Sequence, residues 1–266
     1  MITKIELIKF HEDYYEPLND KTVEFNPLTL ITGDNWTNKT NLTFSIRLMD
    51  AILNKFITEG DIWKNESMSL SLYQRYTMTI KSPNLLHSDK TIKYWFNDEI
   101  YLFFSGTSSK YYTELDNKDI VELEKNIPNY FKFPKVIDLS EGSAREMDAW
   151  LTEEYPATDC NLIIISNQPE KGLDAKNQTE LGLYLATLHK RGIQIILETH
   201  SEYIFDGIRI AIKEGVIAGS AVMANHLTKE GDNTVIEPIY FDRLGNYDPM
   251  PLGFFDQGLE NKMRLI

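Results

Sequence analysis

Within GDNWTNKTNL, running from Gly33 to Leu42, the residues Gly33, Lys39 and Thr40 stand at the spacing of a phosphate-binding loop, G-x-x-x-x-G-K-[ST]. Such a loop works because backbone N–H groups at a helix start converge on anionic oxygens, with the helix dipole adding to the attraction. Lys39 would bring a point charge to the outer phosphates, and the Thr40 hydroxyl an oxygen ligand for Mg2+. Asp34, Asn35, Asn38 and Asn41 complete the candidate cradle. The glycine that should precede the lysine is Asn38, a residue type that tolerates a left-handed backbone better than most. The same letters also describe an ordinary strand-to-helix turn, since Asp34, Asn35, Thr37 and Asn38 are all helix-capping types.

Two further stretches carry chemistry. In IQIILETHSEY, His200 follows an apolar run and precedes Ser201, a plausible helix N-cap, which places the histidine at the carboxyl end of a buried strand, where open α/β sheets bind ligands. Glu198 beside it is either a second polar group of that site or a strand-end carboxylate. In IIISNQPEKGLDA, another apolar run leads into Asn167, Gln168 and Glu170, with Asp174 shortly after. No His/Cys grouping has zinc spacing, and no carboxylate pair marks a nuclease.

The elements that must hold these residues are legible in the hydrophobic pattern. Residues 1–10 and 21–25 alternate like short strands, and LTLIT from Leu28 to Thr32 reads as a buried strand. Leu42, Ile46, Met49, Ile52, Leu53, Phe56 and Ile57 keep helical spacing, so the loop lies between a strand and a helix start. From Ser67 to about Leu115 the pattern becomes β-rich and aromatic, with a hairpin signal at Asn97-Asp98, and predicts an inserted antiparallel β subdomain over roughly residues 60–135. Beyond it, NLIIIS and GIQIILE alternate with helical patterns containing Leu181, Tyr184, Leu185 and Leu188, then Tyr203, Ile204, Ile208, Ala211 and Ile212. SAVMANHL and TVIEPIYF predict closing strands. Alternation of this kind predicts an α/β fold with a mostly parallel sheet covered on both faces, within one domain spanning residues 1–266.

Composition narrows the function. With 27 Lys and Arg against 40 Asp and Glu, the net charge of −13 opposes general attraction to nucleic acid or anionic lipid, so any phosphate contact must come from a specific site. Cys160 is the only cysteine, which rules out a disulfide within this chain. No run approaches the roughly 18 apolar residues of a membrane span, and the start has no signal-peptide core. The expected location is the cytoplasm.

Taken in order, the loop, NQPE, GLD and ETHS resemble the ABC-type ATPase heads of the SMC, RecF and OLD group, a P-loop NTPase class. The resemblance implies ATP and Mg2+ as ligands. It puts Asn167 at the metal-holding acid, Gln168 at the catalytic glutamate, Asp174 in the inter-subunit loop and His200 at the phosphate-sensing histidine. LSEGSARE is similar in placement to the signature segment, whose counterparts here, Ser140 and Gly142, would reach the phosphate held by an opposite subunit; a Ser-x-Gly before a helix is equally a common cap. Gln74 falls near the metal-linked glutamine of the class, although a solvated strand glutamine explains it as well. The C-terminal series ETHSEYIFDGIRIAIKEG, NTVIEPIYFDRLGNY and PLGFFDQ resembles a prokaryotic branch that accompanies anti-phage defence genes and writes its second motif Glu-Gln-Pro-Glu, so Asn167 departs from it.

The resemblance therefore implies a compact head without coiled-coil arms or an appended nuclease. Such a head would pair with itself or another ATPase subunit through its nucleotide face and bind an effector. With Asn38, Asn167 and Gln168 altered, weak or absent hydrolysis is expected while binding persists. The rival readings are an active ATPase in which Gln168, Glu170 or Glu198 replaces the missing acid, and an interaction module that binds no nucleotide.

Overall fold

The computed structural model describes residues 1–8, 18, 21–34, 37, 39–40, 42–43, 45–47, 91–96, 100–105, 134–139, 142–156, 161–231, 233–251, 253–255 and 257–266. Asn35, Asn38, Asn41, Gln74 and Ser140 lie outside them, as do the strands read at SLSLYQRYTMTIK and KYYTEL. The chain divides into two units, the first made of Met1, residues 24–40 and residues 133–266, the second of residues 2–23 and 41–132.

The first unit is built on a seven-stranded sheet. Its strands are β3 (Leu28–Gly33), β6 (Lys135–Leu139), β7 (Leu162–Asn167), β8 (Ile193–Glu198), β9 (Val222–Glu230), β10 (Asn233–Phe241) and β11 (Tyr247–Asp248), in the order β11-β10-β9-β3-β8-β7-β6. Every pairing from β9 through β6 is parallel, and β10 and β11 add antiparallel pairs at one edge. The predicted mostly parallel sheet is therefore present. β8 is buried along its whole length because it lies between β3 and β7, and central position is what its continuous apolar run indicates.

Among the described residues of this unit lie the helices α1 (Ala144–Glu154), α2 (Ala175–Thr187), α3 (Glu202–Lys213) and α4 (Gln257–Leu265). On α3, Ile204, Phe205, Ile208, Ala211 and Ile212 form the buried stripe that the 3.6-residue period requires, while Tyr203 is exposed. Leu181 and Leu185 of α2 pack with them against Leu30, Ile195 and Leu197 of the sheet. The two helices approach closely at glycines: a Cβ on Gly182 would lie 2.3 Å from the Ile204 carbonyl oxygen, and one on Gly207 would lie 2.3 Å from that of Thr179.

Residues of the last two C-terminal motifs pack against Phe205 of α3 within the same core cluster. Phe205 meets Phe254 edge-on at 5.1 Å and stacks on Phe255 at 4.7 Å, with Tyr247 edge-on at 5.3 Å. Arg209 lies over the Phe205 and Tyr247 rings and donates from Nε to the Gly245 carbonyl at 2.8 Å. The turn before Tyr247 is held by Asp242, which accepts from the Leu244 and Asn246 N–H groups at 2.8 and 2.9 Å. Thus Phe241, Tyr247, Phe254 and Phe255 form an aromatic clamp around Phe205 of the helix that carries the ETHS segment at its start.

The second unit contains a four-stranded sheet in the order β2-β1-β4-β5, from β1 (Ile2–Ile8), β2 (Lys21–Glu24), β4 (Thr91–Phe96) and β5 (Ile100–Ser105). β4 pairs antiparallel with both β1 and β5, with Phe96 opposite Ile100. Residues 42–43 and 45–47 are helical, and the buried Tyr94 hydroxyl donates to the Ser45 carbonyl at 2.7 Å, tying this helix to β4.

Candidate nucleotide site

Gly33 ends β3 with φ +127° and lies beside β9, where a Cβ would fall 1.9 Å from the Leu227 carbonyl oxygen. Only glycine fits there, on steric and conformational grounds together. The next N–H, from Asp34, donates to that same carbonyl at 3.0 Å, so the chain leaves the sheet on a fixed path. Thr37 is fully buried and its hydroxyl donates to the Asp34 carbonyl at 2.8 Å. Helical backbone begins at Lys39. Strand, turn and helix start therefore follow in the order a phosphate loop needs.

Lys39 is 6% exposed. Its Nζ donates to the Gly33 carbonyl at 2.9 Å, to the Asp34 carbonyl, and at 3.4 Å to the Thr37 hydroxyl. An ammonium has three donors, and all are directed to oxygens of its own loop. Burial lowers the Lys39 pKa, while the Glu198 and Asp34 carboxylates pull it back up. Phosphate oxygens would supply the same kind of acceptor with added negative charge, and none of the contacts they would replace belongs to a sheet ladder.

The neighbouring residue completes a second contact. The Thr40 hydroxyl donates to Oε1 of Glu198 at 3.2 Å, and Glu198 is 2% exposed at the end of β8. Asn167, at the end of β7, is the direct cross-strand partner of Glu198. Gln168 follows with φ +50°, the left-handed region in which a non-glycine residue is strained, and its N–H donates to the Glu198 carbonyl at 2.7 Å.

Glu170 bridges two motifs that are distant in sequence: its Oε1 accepts the His200 N–H at 2.8 Å. Partial desolvation of the still exposed ring and the Lys39 charge hold the His200 imidazole below the ordinary histidine range, with Glu170 opposing them. Ser201 caps α3 by accepting from the Ile204 N–H at 3.1 Å, and its hydroxyl donates to Gln178 Oε1 at 2.6 Å, joining the starts of α2 and α3. Asp174 caps α2, accepting from the Asn177 N–H at 2.8 Å. The cap of α1 is Ser143, paired with Glu146 in a reciprocal capping box. Gly142 lies just before it, and a side chain there would meet only ordinary contacts, the nearest being Glu146 Oε2 at 3.7 Å.

Parallel strands bring Gly33, Asn167 and Glu198 to the same carboxyl edge, and Lys39, Thr40, Gln168 and His200 follow directly from it. Three contacts have no separate sequence signal: Thr37 as a seat for Lys39, Glu170 as the acceptor for the His200 backbone, and Gln178 as the partner of Ser201. Among the described residues no group of three His, Cys, Asp or Glu forms a metal cluster. Mg2+ needs no such cluster, since it is held by one or two protein oxygens together with phosphates and water. The buried ammonium, the hydroxyl and the carboxylate fit a nucleotide with its magnesium.

No family model and no curated protein matches the sequence. Among solved structures, the chain is similar to the SMC head domain from Thermotoga maritima, at 13% identity and TM-score 0.48, over 89% of this chain and 98% of that one. It is also similar to an Smc head bound to the C-winged helix domain of ScpA, at 10% identity and TM-score 0.50, over 90% of this chain and 98% of that one. The second likeness concerns the fold alone: an α/β fold like that of an Smc head, with a mostly parallel core sheet and additional antiparallel strands. No helix among the described residues is long and apolar enough to cross a membrane.

Proposed function

We propose that this protein is an ATP-binding, ABC-type subunit that hydrolyses slowly or not at all and acts as a nucleotide sensor or scaffold. The observation that carries this reading is Lys39, buried at a helix start with its ammonium seated on loop oxygens that phosphates can replace. Slow hydrolysis follows from the residues around it. Asn167 carries no charge, Gln168 cannot accept a proton at neutral pH, and Glu170 is engaged with the His200 backbone.

Ser140 and Gly142 are offered to a second subunit's loop in this reading, and Asp174 lies in the contact between subunits. Head-to-head pairing then transmits nucleotide occupancy to an effector. The resemblance of the C-terminal motifs to a branch that accompanies defence genes supports placing this complex in anti-phage defence. Calorimetry with ATP and Mg2+ tests the core of the reading: saturable binding is expected in the wild type and its loss in Lys39→Ala. Absence of binding in the wild type overturns it in favour of a nucleotide-free module, and rapid phosphate release that disappears in Lys39→Ala identifies an active ATPase instead.

A further inference from the structure

We infer that the metal-holding acid of this site has moved one strand over: Glu198 of β8, together with the Thr40 hydroxyl, forms the seat for the divalent cation that Asn167 of β7 lacks the charge to hold. The inference rests on the nucleotide reading above. Asn167 and Glu198 are register partners on adjacent parallel strands, so their side chains leave the same face about 4.8 Å apart. Glutamate is one methylene longer than asparagine, which extends its reach. Its Oε1 lies 3.2 Å from Thr40 Oγ1. Two neighbouring ligands of an octahedral Mg2+, each about 2.0–2.1 Å from the ion, lie about 3 Å apart, so the pair already has nearly the spacing of one octahedral edge.

The setting of Glu198 supports the same conclusion. It is a carboxylate at 2% exposure ending a strand whose other residues are apolar apart from Gln194, and Gln194 is bonded to the Asn26 carbonyl at 3.2 Å at the opposite end. A buried carboxylate is costly unless charge or hydrogen bonds compensate it. In the absence of metal, Thr40 supplies a hydrogen bond and Lys39 a nearby charge. With Lys39 drawn to the phosphates of a nucleotide, Glu198 and Thr40 would hold a divalent cation, which would supply that compensating charge.

The competing role for Glu198 is that of counter-charge to Lys39 alone, and ATP titrations in Mg2+ and in EDTA separate the two. A metal-holding Glu198 gives a Glu198→Gln variant that binds ATP at least as tightly as wild type in EDTA but loses about 10- to 100-fold in Mg2+. The double variant Asn167→Asp, Glu198→Gln regains the Mg2+ response. An unchanged Mg2+ response in Glu198→Gln, or an equal loss in both buffers, overturns the assignment. Wild-type protein that binds ATP in neither buffer overturns the nucleotide reading and the cation seat with it. A measurement without substitution guards against a variant that does not fold. With Mn2+ and a non-hydrolysable ATP analogue on wild-type protein carrying 13C-carboxylate glutamate, a 13C coupling to the metal is expected in electron-nuclear double resonance, and its absence rejects the seat.

Discussion

His200 and Lys39 share one electrostatic environment, and this makes the site testable at a single residue. The imidazole, though exposed, is held below the ordinary value of about 6.5 by partial desolvation first and by the Lys39 ammonium second. It is therefore expected to be neutral at pH 7, able to donate a hydrogen bond to a phosphate oxygen while remaining uncharged. Removing the cation in Lys39→Ala is expected to raise the His200 pKa, as followed by NMR titration of the imidazole; an unchanged or lower value contradicts the proximity. The sign for stability follows from the same shift. A histidine with a native pKa below its unfolded one binds fewer protons in the fold, so its contribution is intact above about 6.5 and is lost as pH falls towards the native value. Gln168 is the other telling residue here, because its left-handed backbone keeps its N–H on the Glu198 carbonyl and so fixes how the chain leaves β7.

At the scale of elements, the site depends on how α2 and α3 are held together. The cap of α3 is Ser201, and the same hydroxyl reaches Gln178 of α2. Ser201→Ala is expected to cost about 1 kcal/mol from the lost cap, read as a lowered urea midpoint. Further along, Gly207→Ala would press a Cβ to 2.3 Å from the Thr179 carbonyl oxygen, and separating the helices enough to admit it is expected to cost about 1–3 kcal/mol. If Gly207→Ala melts like wild type, the close helix approach is wrong. The aromatic clamp around Phe205 places the distinctive C-terminal motif in a structural role, since Phe254 is fully buried against α3 and Arg209 covers the cluster.

For the whole molecule, the relevant quantities are charge and pairing. A net charge of −13 gives no general affinity for polyanions, so the proposed ATP binding would have to overcome repulsion by local means, for which the buried ammonium and helix start are suited. A head that senses nucleotide should change its association with occupancy. Light scattering is expected to show the mass of a dimer when ATP and Mg2+ are present, and that of a monomer without nucleotide or in Lys39→Ala. A mass that never changes with ATP rules out self-pairing and directs the search to a different ATPase subunit as partner.

The local elements of this protein were largely legible in its sequence. The runs at Leu28, Leu162 and Ile193, the helical period on α3 and the spacing of Gly33, Lys39 and Thr40 are all properties of contiguous residues, and the structure contains each of those elements. Cross-strand relations were not legible in the same way. Sequence left Gln168, Glu170 and Glu198 as alternative replacements for a missing acid; the order β3-β8-β7 puts Glu198 beside Asn167 and against the Thr40 hydroxyl. Likewise, Ser-x-Gly before α1 left two readings, and the capping box assigns the cap to Ser143. The physical reason is common to both: periodicity and capping are encoded within a few neighbouring residues, whereas strand register is set by burial on both faces of a sheet whose partners lie far apart in the chain.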